Sequence, residues 1–215
     1  MKLLLKGLVL GGVLVLTACI PTPSTGPSPS MTATTAPVTM PATTAPVTMP
    51  ATTATTTTPP APATMTVTLY FSNSVLDPGA SDCAQVYAVH RNVPMSSDVL
   101  TVTLKELLAG PTTAETAKGY KSWFSSATAQ ALIRAKVTGN TSYVNLTDIR
   151  KVIPNASTSC GSASLLAQLR TTAQQAAMAP RVLYAINGQP TTFWEWLQIG
   201  CDASNDNCNP TPFAG

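Results

Sequence analysis

From Met65 the chain alternates, with Val67, Leu69 and Phe71 on one side and Thr66, Thr68 and Tyr70 on the other, which predicts a strand. Turn material, "SNSVLDPGASD", follows, and "CAQVYAVHRNV" predicts a second strand in which Val86 and Ala88 oppose Tyr87 and Val89. The period then changes. Leu100, Leu104, Leu107 and Leu108 make one helical stripe behind a Ser97 or Asp98 N-cap, with Lys105 and Glu106 outside it. "ALIRAKVTGNTSYVNLTD" predicts two strands around a Gly139-Asn140 turn. A second helix opens near Ser162, carries Leu165, Leu166, Leu169, Ala173, Ala176 and Ala177 on one stripe, and is stopped by Pro180. "RVLYAING" predicts a last strand and "TTFWEWLQIG" a short terminal helix.

The order β-β-α-β-β-α-β plus a tail places the chain in the α+β class. The expectation is a single domain: one mixed sheet of about five strands, two helices on one face, and a C-terminal tail closed by a disulfide.

Ahead of this domain the pattern is of another kind. Lys2 and Lys6 precede an apolar run from Leu8 to Leu16, too short to span a bilayer and flanked as a secretory leader is. Leu16-Thr17-Ala18-Cys19 resembles the lipobox of bacterial lipoproteins, which implies cleavage after residue 18 and lipid on Cys19. From Ile20 to about Thr64 there is no charged residue, and "ATTAPVTMP" at Ala33 to Pro41 repeats at Ala42 to Pro50. The repeats lack the apolar bulk of a stacking solenoid and read as an extended tether, at most ~140 Å long in polyproline geometry. The resulting division is 1–18 leader, 19–64 lipidated Cys and linker, 65–200 domain, and 201–215 tail. The expected localisation is extracytoplasmic, on a membrane.

Charge excludes one class of partner. The 12 basic and 9 acidic residues give +3, and loss of the leader's two lysines leaves the remainder close to neutral. No basic stripe interleaves with aromatics, so no nucleic-acid binding is expected.

In order along the chain, "VTLYF", "VYAVHRNV", "LKELLAGPT" with its Gly-Pro exit, "SYVNLTD", the Cys-Gly-Ser helix start, "LLAQLRTTAQQ" and "VLYAINGQ" resemble the GerMN domain of sporulation and spore germination. One copy is present where the founding members carry two. The resemblance implies a fold like the ring-building modules of secretion and sporulation machines, an anchored extracytoplasmic protein, and no catalytic activity.

Candidate chemistry is sparse. His90 is the only histidine, and without an orienting partner it reads as a strand-end residue. Of five cysteines, Cys19 is assigned to lipid, leaving Cys83, Cys160, Cys201 and Cys208. Cys83 with Cys160 and Cys201 with Cys208 is the preferred pairing of the three connectivities that four cysteines allow. Cys160 before a helix could instead be an activated nucleophile, which would make the protein a cell-wall-acting enzyme. Asp202, Ser204 and Asp206 alternate as in a calcium loop but lack the later glutamate and the glycine, so no metal or other cofactor is expected. Asn140, Asn145 and Asn155 head glycosylation sequons that read as chance in a Ser/Thr-rich chain. Phe193, Trp194 and Trp196 are either a lid on the sheet or a contact for a partner.

Gly110-Pro111 lies behind its helix and lacks the Gly-Lys-Ser/Thr order of a phosphate loop, so it reads as a helix stop. The functional expectation is a non-catalytic, lipid-anchored scaffold meeting envelope proteins, with self-association open. A ligand-binding lipoprotein of a transport system is the other alternative.

Overall fold

The computed structural model of the chain describes residues 61–201 and 206–214. The leader, Cys19, most of the Thr/Pro tract, Asp202 and Ser204 lie outside the described residues.

β1 (Thr64–Asn73) and β2 (Tyr87–Pro94) pair antiparallel, with Val67 opposite Arg91 and Leu69 opposite Val89. α1 (Val99–Leu108) starts where Asp98 Oδ1 accepts the Thr101 N–H at 3.0 Å. A capped turn of helix, α2 (Thr113–Thr116), and a two-residue strand, β3 (Tyr120–Lys121), follow. β4 (Leu132–Thr138) and β5 (Thr141–Leu146) form the expected hairpin around Gly139-Asn140. α3 (Ser159–Ala177) begins three residues before the expected Ser162, because Thr158 Oγ1 accepts the Gly161 N–H at 3.0 Å. A Cβ on Gly161 would collide with the Asn155 carbonyl, so the close approach of this first turn to the preceding loop requires glycine. Met178, left-handed at φ 50°, ends α3 ahead of Pro180. β6 (Arg181–Ile186) and α4 (Pro190–Trp196) complete the order.

The class is α+β as expected, but the strands form two three-stranded sheets rather than one of five. Their orders are β2-β1-β3 and β4-β5-β6; β5 runs antiparallel to β4 and parallel to β6. The physical reason lies on α3. Ser164, Gln168 and Thr172 recur every four residues and run down one face of the helix. Thr172 Oγ1 accepts the β1 Tyr70 N–H at 3.1 Å, and Ser164 Oγ lies 3.3 Å from Ser72 Oγ. At Tyr70 the helix therefore meets the backbone donor that a longer β3, paired only at Ser72 and Asn73, would have met. Gln168 and Thr172 are buried for this reason, although an apolar-stripe reading of α3 passes over them.

One core joins the pieces. Val67, Leu69 and Phe71 of β1 meet the four leucines of α1, Leu165 and Leu169 of α3, and Val144, Leu146 and Tyr184 of the second sheet. A smaller cluster lies across the second sheet, where Phe213 packs on Leu183, Ala185 and Tyr143. This corrects the expected disulfide-closed tail. The structure joins Cys83 to Cys160 and does not join Cys201 to Cys208; the tail is held by burial of Phe213 and by Arg134 Nη2 donating to the Ala214 carbonyl at 3.1 Å.

Candidate functional site

Two polar assemblies and one aromatic cluster contain the side chains that could do more than pack. The first is centred on Arg91. Its Nη1 donates to the Glu106 carbonyl and carboxylate at 2.9 and 3.0 Å, Nη2 to the Gly110 carbonyl at 2.7 Å, and Nε to Glu115 Oε1 at 2.9 Å. The guanidinium also lies 5.7 Å from the centre of the Phe71 ring. Thr128 Oγ1 donates to the Leu108 carbonyl at 2.7 Å. At the end of α1 the Glu106 and Leu108 carbonyls are thus met by side chains, and those of Lys105 and Leu107 by the backbone N–H groups of Ala109 and Gly110. Gly110 is left-handed at φ 76°, and a Cβ there would strike the Phe124 carbonyl. Thr112 and Glu115 form a capping box immediately after Pro111.

Burial alone would raise the Glu115 carboxyl, but hydrogen bonds from Arg91 and Thr112 outweigh it and hold it below its ordinary value. Burial works against the charged Arg91 as well, and the bonds to Glu115 and Glu106 reverse it, raising its pKa. Every strong group of this cluster is committed to a neighbour. It is a helix stop under charge control, as the Gly-Pro reading expects.

The second assembly lines a cleft of about 590 Å³ between the end of β1, β3 and the first turns of α3. Gln168 sits on its floor, with Oε1 accepting Ser122 Oγ at 2.6 Å and Nε2 at 3.4 Å from both Ser72 Oγ and Ser164 Oγ. Trp123 and the Cys83–Cys160 disulfide form walls, and Asp77, Asp82 and Lys121 stand around the opening. The disulfide links residues 77 apart, with Cα atoms 5.2 Å apart, and so ties the 74–86 loop to the start of α3. Asn73 shapes the adjoining turn: its Oδ1 accepts the Val75 and Leu76 N–H groups at 2.8 and 3.0 Å.

The sequence-predicted residues fall as follows. His90 lies on the exposed face of β2, with Nδ1 3.1 Å from Thr68 Oγ1. Cys160 is in the disulfide, and a sulfur bonded to Cys83 is not a thiolate nucleophile. Cys201 Sγ lies 3.6 Å from Thr191 Oγ1, and Cys208 Sγ 3.6 Å from Asn207 Oδ1. Among the described residues no three His, Cys, Asp or Glu side chains gather as a metal would need. No described helix is long and apolar enough to cross a membrane.

Phe193 and Trp194 are buried and only Trp196 is partly open, so the aromatic group forms a lid; as a partner contact, Phe193 and Trp194 are out of reach. Tyr184 stacks on Phe193 at 4.9 Å between ring centres and meets Trp194 edge-on at 6.1 Å. The Tyr184 hydroxyl and the Trp194 indole nitrogen are buried without a partner among the described residues. Burial pushes the Tyr184 phenol far above its ordinary value, so it stays neutral.

Sequence reasoning missed the cleft. Its signal was the four-residue spacing of Ser164 and Gln168, polar residues on a helix face that the apolar-stripe reading passes over.

The family model for Germane, described as sporulation and spore germination, matches residues 68–192, more than half of the chain. Those limits run from within β1 to within α4 and include the Arg91 cluster and the whole lining of the cleft. The match agrees with the resemblance seen in the ordered motifs. No curated protein matches the chain. A solved structure of a protein assigned as a lipoprotein, from Clostridium perfringens, is similar over 58% of this chain and 75% of that one, at 16% identity and a TM-score of 0.33.

Proposed function

This chain belongs to the Germane family of sporulation and spore germination, and from that premise we propose that it is a non-catalytic, lipid-anchored scaffold of the bacterial cell envelope. Lipid on Cys19 would hold it to the bilayer, the 19–64 tract would space the domain from the surface, and the domain would meet an envelope protein or a second copy of itself. Cys160 carries the non-catalytic part of this reading: the residue best placed by sequence to act as a nucleophile is bound to Cys83.

The sheets offer a means of association. β2 and β4 are edge strands, each paired on one side only among the described residues. An unpaired strand edge presents backbone N–H and C=O groups that another strand can meet. On β4, Ile133 and Val137 add exposed apolar side chains along that edge.

The anchoring is tested by fractionating cells that produce the full chain and its Cys19→Ala variant. The expected result is wild type in the membrane fraction, labelled by a fed fatty acid, and the variant unlabelled and released from the membrane. Equal membrane retention of both would refute lipid anchoring at Cys19.

A further inference from the structure

We infer that the cleft beside the Cys83–Cys160 disulfide is a binding site for a neutral oligosaccharide. The volume of about 590 Å³ falls within the range of small-ligand sites, roughly 300–1,000 Å³. Its chemistry selects the class. The cleft is lined by the half-buried hydroxyls of Ser72 and Ser164, groups that both donate and accept, with the Gln168 carboxamide buried behind them and Ser122 Oγ committed to Gln168 Oε1 and the Phe124 N–H. The Ser72–Ser164 pair at 3.3 Å and the Gln168 Nε2 contacts to each at 3.4 Å are long, leaving these two serine hydroxyls donor and acceptor capacity for a ligand's own hydroxyls.

Trp123 supplies the apolar counterpart. It is only partly buried, whereas Trp194 is buried. A sugar ring has an apolar face of C–H groups and a polar rim, the two surfaces that an indole wall and a hydroxyl lining meet together. An anion would require net positive charge, and here Lys121 is set against two aspartates at the opening. The disulfide fixes one wall, so the cleft stands formed before a ligand arrives, which lowers the ordering cost of binding. This inference does not depend on the anchoring or the assembly role and fails or succeeds apart from them.

The test is a titration of the full chain with maltotriose and tri-N-acetylchitotriose, following the three indole N–H resonances by NMR. Saturable movement of the Trp123 resonance with either sugar, while Trp194 stays still, is the expected result. Trp123→Ala should weaken that binding by about tenfold, the loss of a stacking contact, and Trp123→Tyr should recover part of it. Failure of both sugars to move Trp123 up to tens of millimolar, or binding that survives Trp123→Ala unchanged, would overturn the inference. A tri-alanine peptide is the competing ligand, and saturation by it alone would also overturn the saccharide assignment. The wild-type titration needs no substitution, so a poorly folding variant does not remove the test. A wall glycan and a soluble sugar share this chemistry. Co-sedimentation with purified wall glycan, reversed or not by maltotriose, identifies which of them supplies it.

Discussion

The Arg91 cluster and the Gln168 cleft both place polar groups beside the first sheet, and they differ in what remains available to a visitor. Around Arg91 the groups are charged, close and shielded: the guanidinium side chain is 11% exposed, and its donors meet two carboxylates and two carbonyls. Around Gln168 the groups are neutral, several contacts are long, and a cavity opens above them. Charged groups out of water demand complete pairing, since an unpaired one costs several kcal/mol. Neutral hydroxyls tolerate partial pairing, which is what a binding surface needs. A cluster dense in charge marks structure here, and the cluster of ordinary serines marks the place for a ligand.

That contrast can be broken from either side. The largest effect is expected from Cys83→Ser with Cys160→Ser, which removes a link across 77 residues and should cost about 3–5 kcal/mol. Denaturant unfolding reads that loss, and the same variant should loosen the cleft wall while leaving the Arg91 cluster in place. Next comes Arg91→Met, which strands the buried end of Glu115 and the Glu106 and Gly110 carbonyls. A loss of about 3 kcal/mol is expected by the same measurement. Arg91→Lys should recover only part of it, because one ammonium cannot reproduce the forked contacts.

Acid probes the same cluster without mutation. The Glu115 carboxyl is held below its ordinary value of 4.5 by Arg91 and Thr112 against the opposing effect of burial. Its contribution is therefore complete above that value and is lost as the pH falls through its lower folded value. Stability measured between pH 6 and pH 3 should fall more steeply in wild type than in Glu115→Gln. The exposed Asp148, lowered to about 2 by the hydrogen bond from Arg150, should add little, as surface pairs do.

The smallest effect is expected at the lid. Tyr184→Phe removes a buried hydroxyl that has no partner among the described residues. Stability should be unchanged or raised by up to about 1 kcal/mol, because the hydroxyl was taken out of water without a compensating bond.

The legibility of the sequence divides along the same line. Alternation at Val67, Leu69 and Phe71 and the leucine stripe of α1 place β1 and the first helix, because burial imposes the period of the element. The Gly110-Pro111 stop is legible too, since a left-handed exit favours glycine. Two sheets in place of one were not legible: the division depends on Thr172 reaching the Tyr70 N–H of β1 from a helix about one hundred residues away. The two-residue β3 is too short to show a period. The cleft eluded sequence reading for a related reason, as serines and a glutamine are common at surfaces and acquire meaning only when the fold assembles them.

The central claim is that the domain works by association from a tether. It is tested most directly by placing a photo-crosslinking amino acid at Asn92, exposed on β2, in the full chain and irradiating intact cells. The account predicts a discrete adduct, with another envelope protein or a second copy of the chain, that is lost when Cys19→Ala releases the protein. A protein that stays monomeric under irradiation from Asn92, and equally from Val137 on the β4 edge, would contradict it.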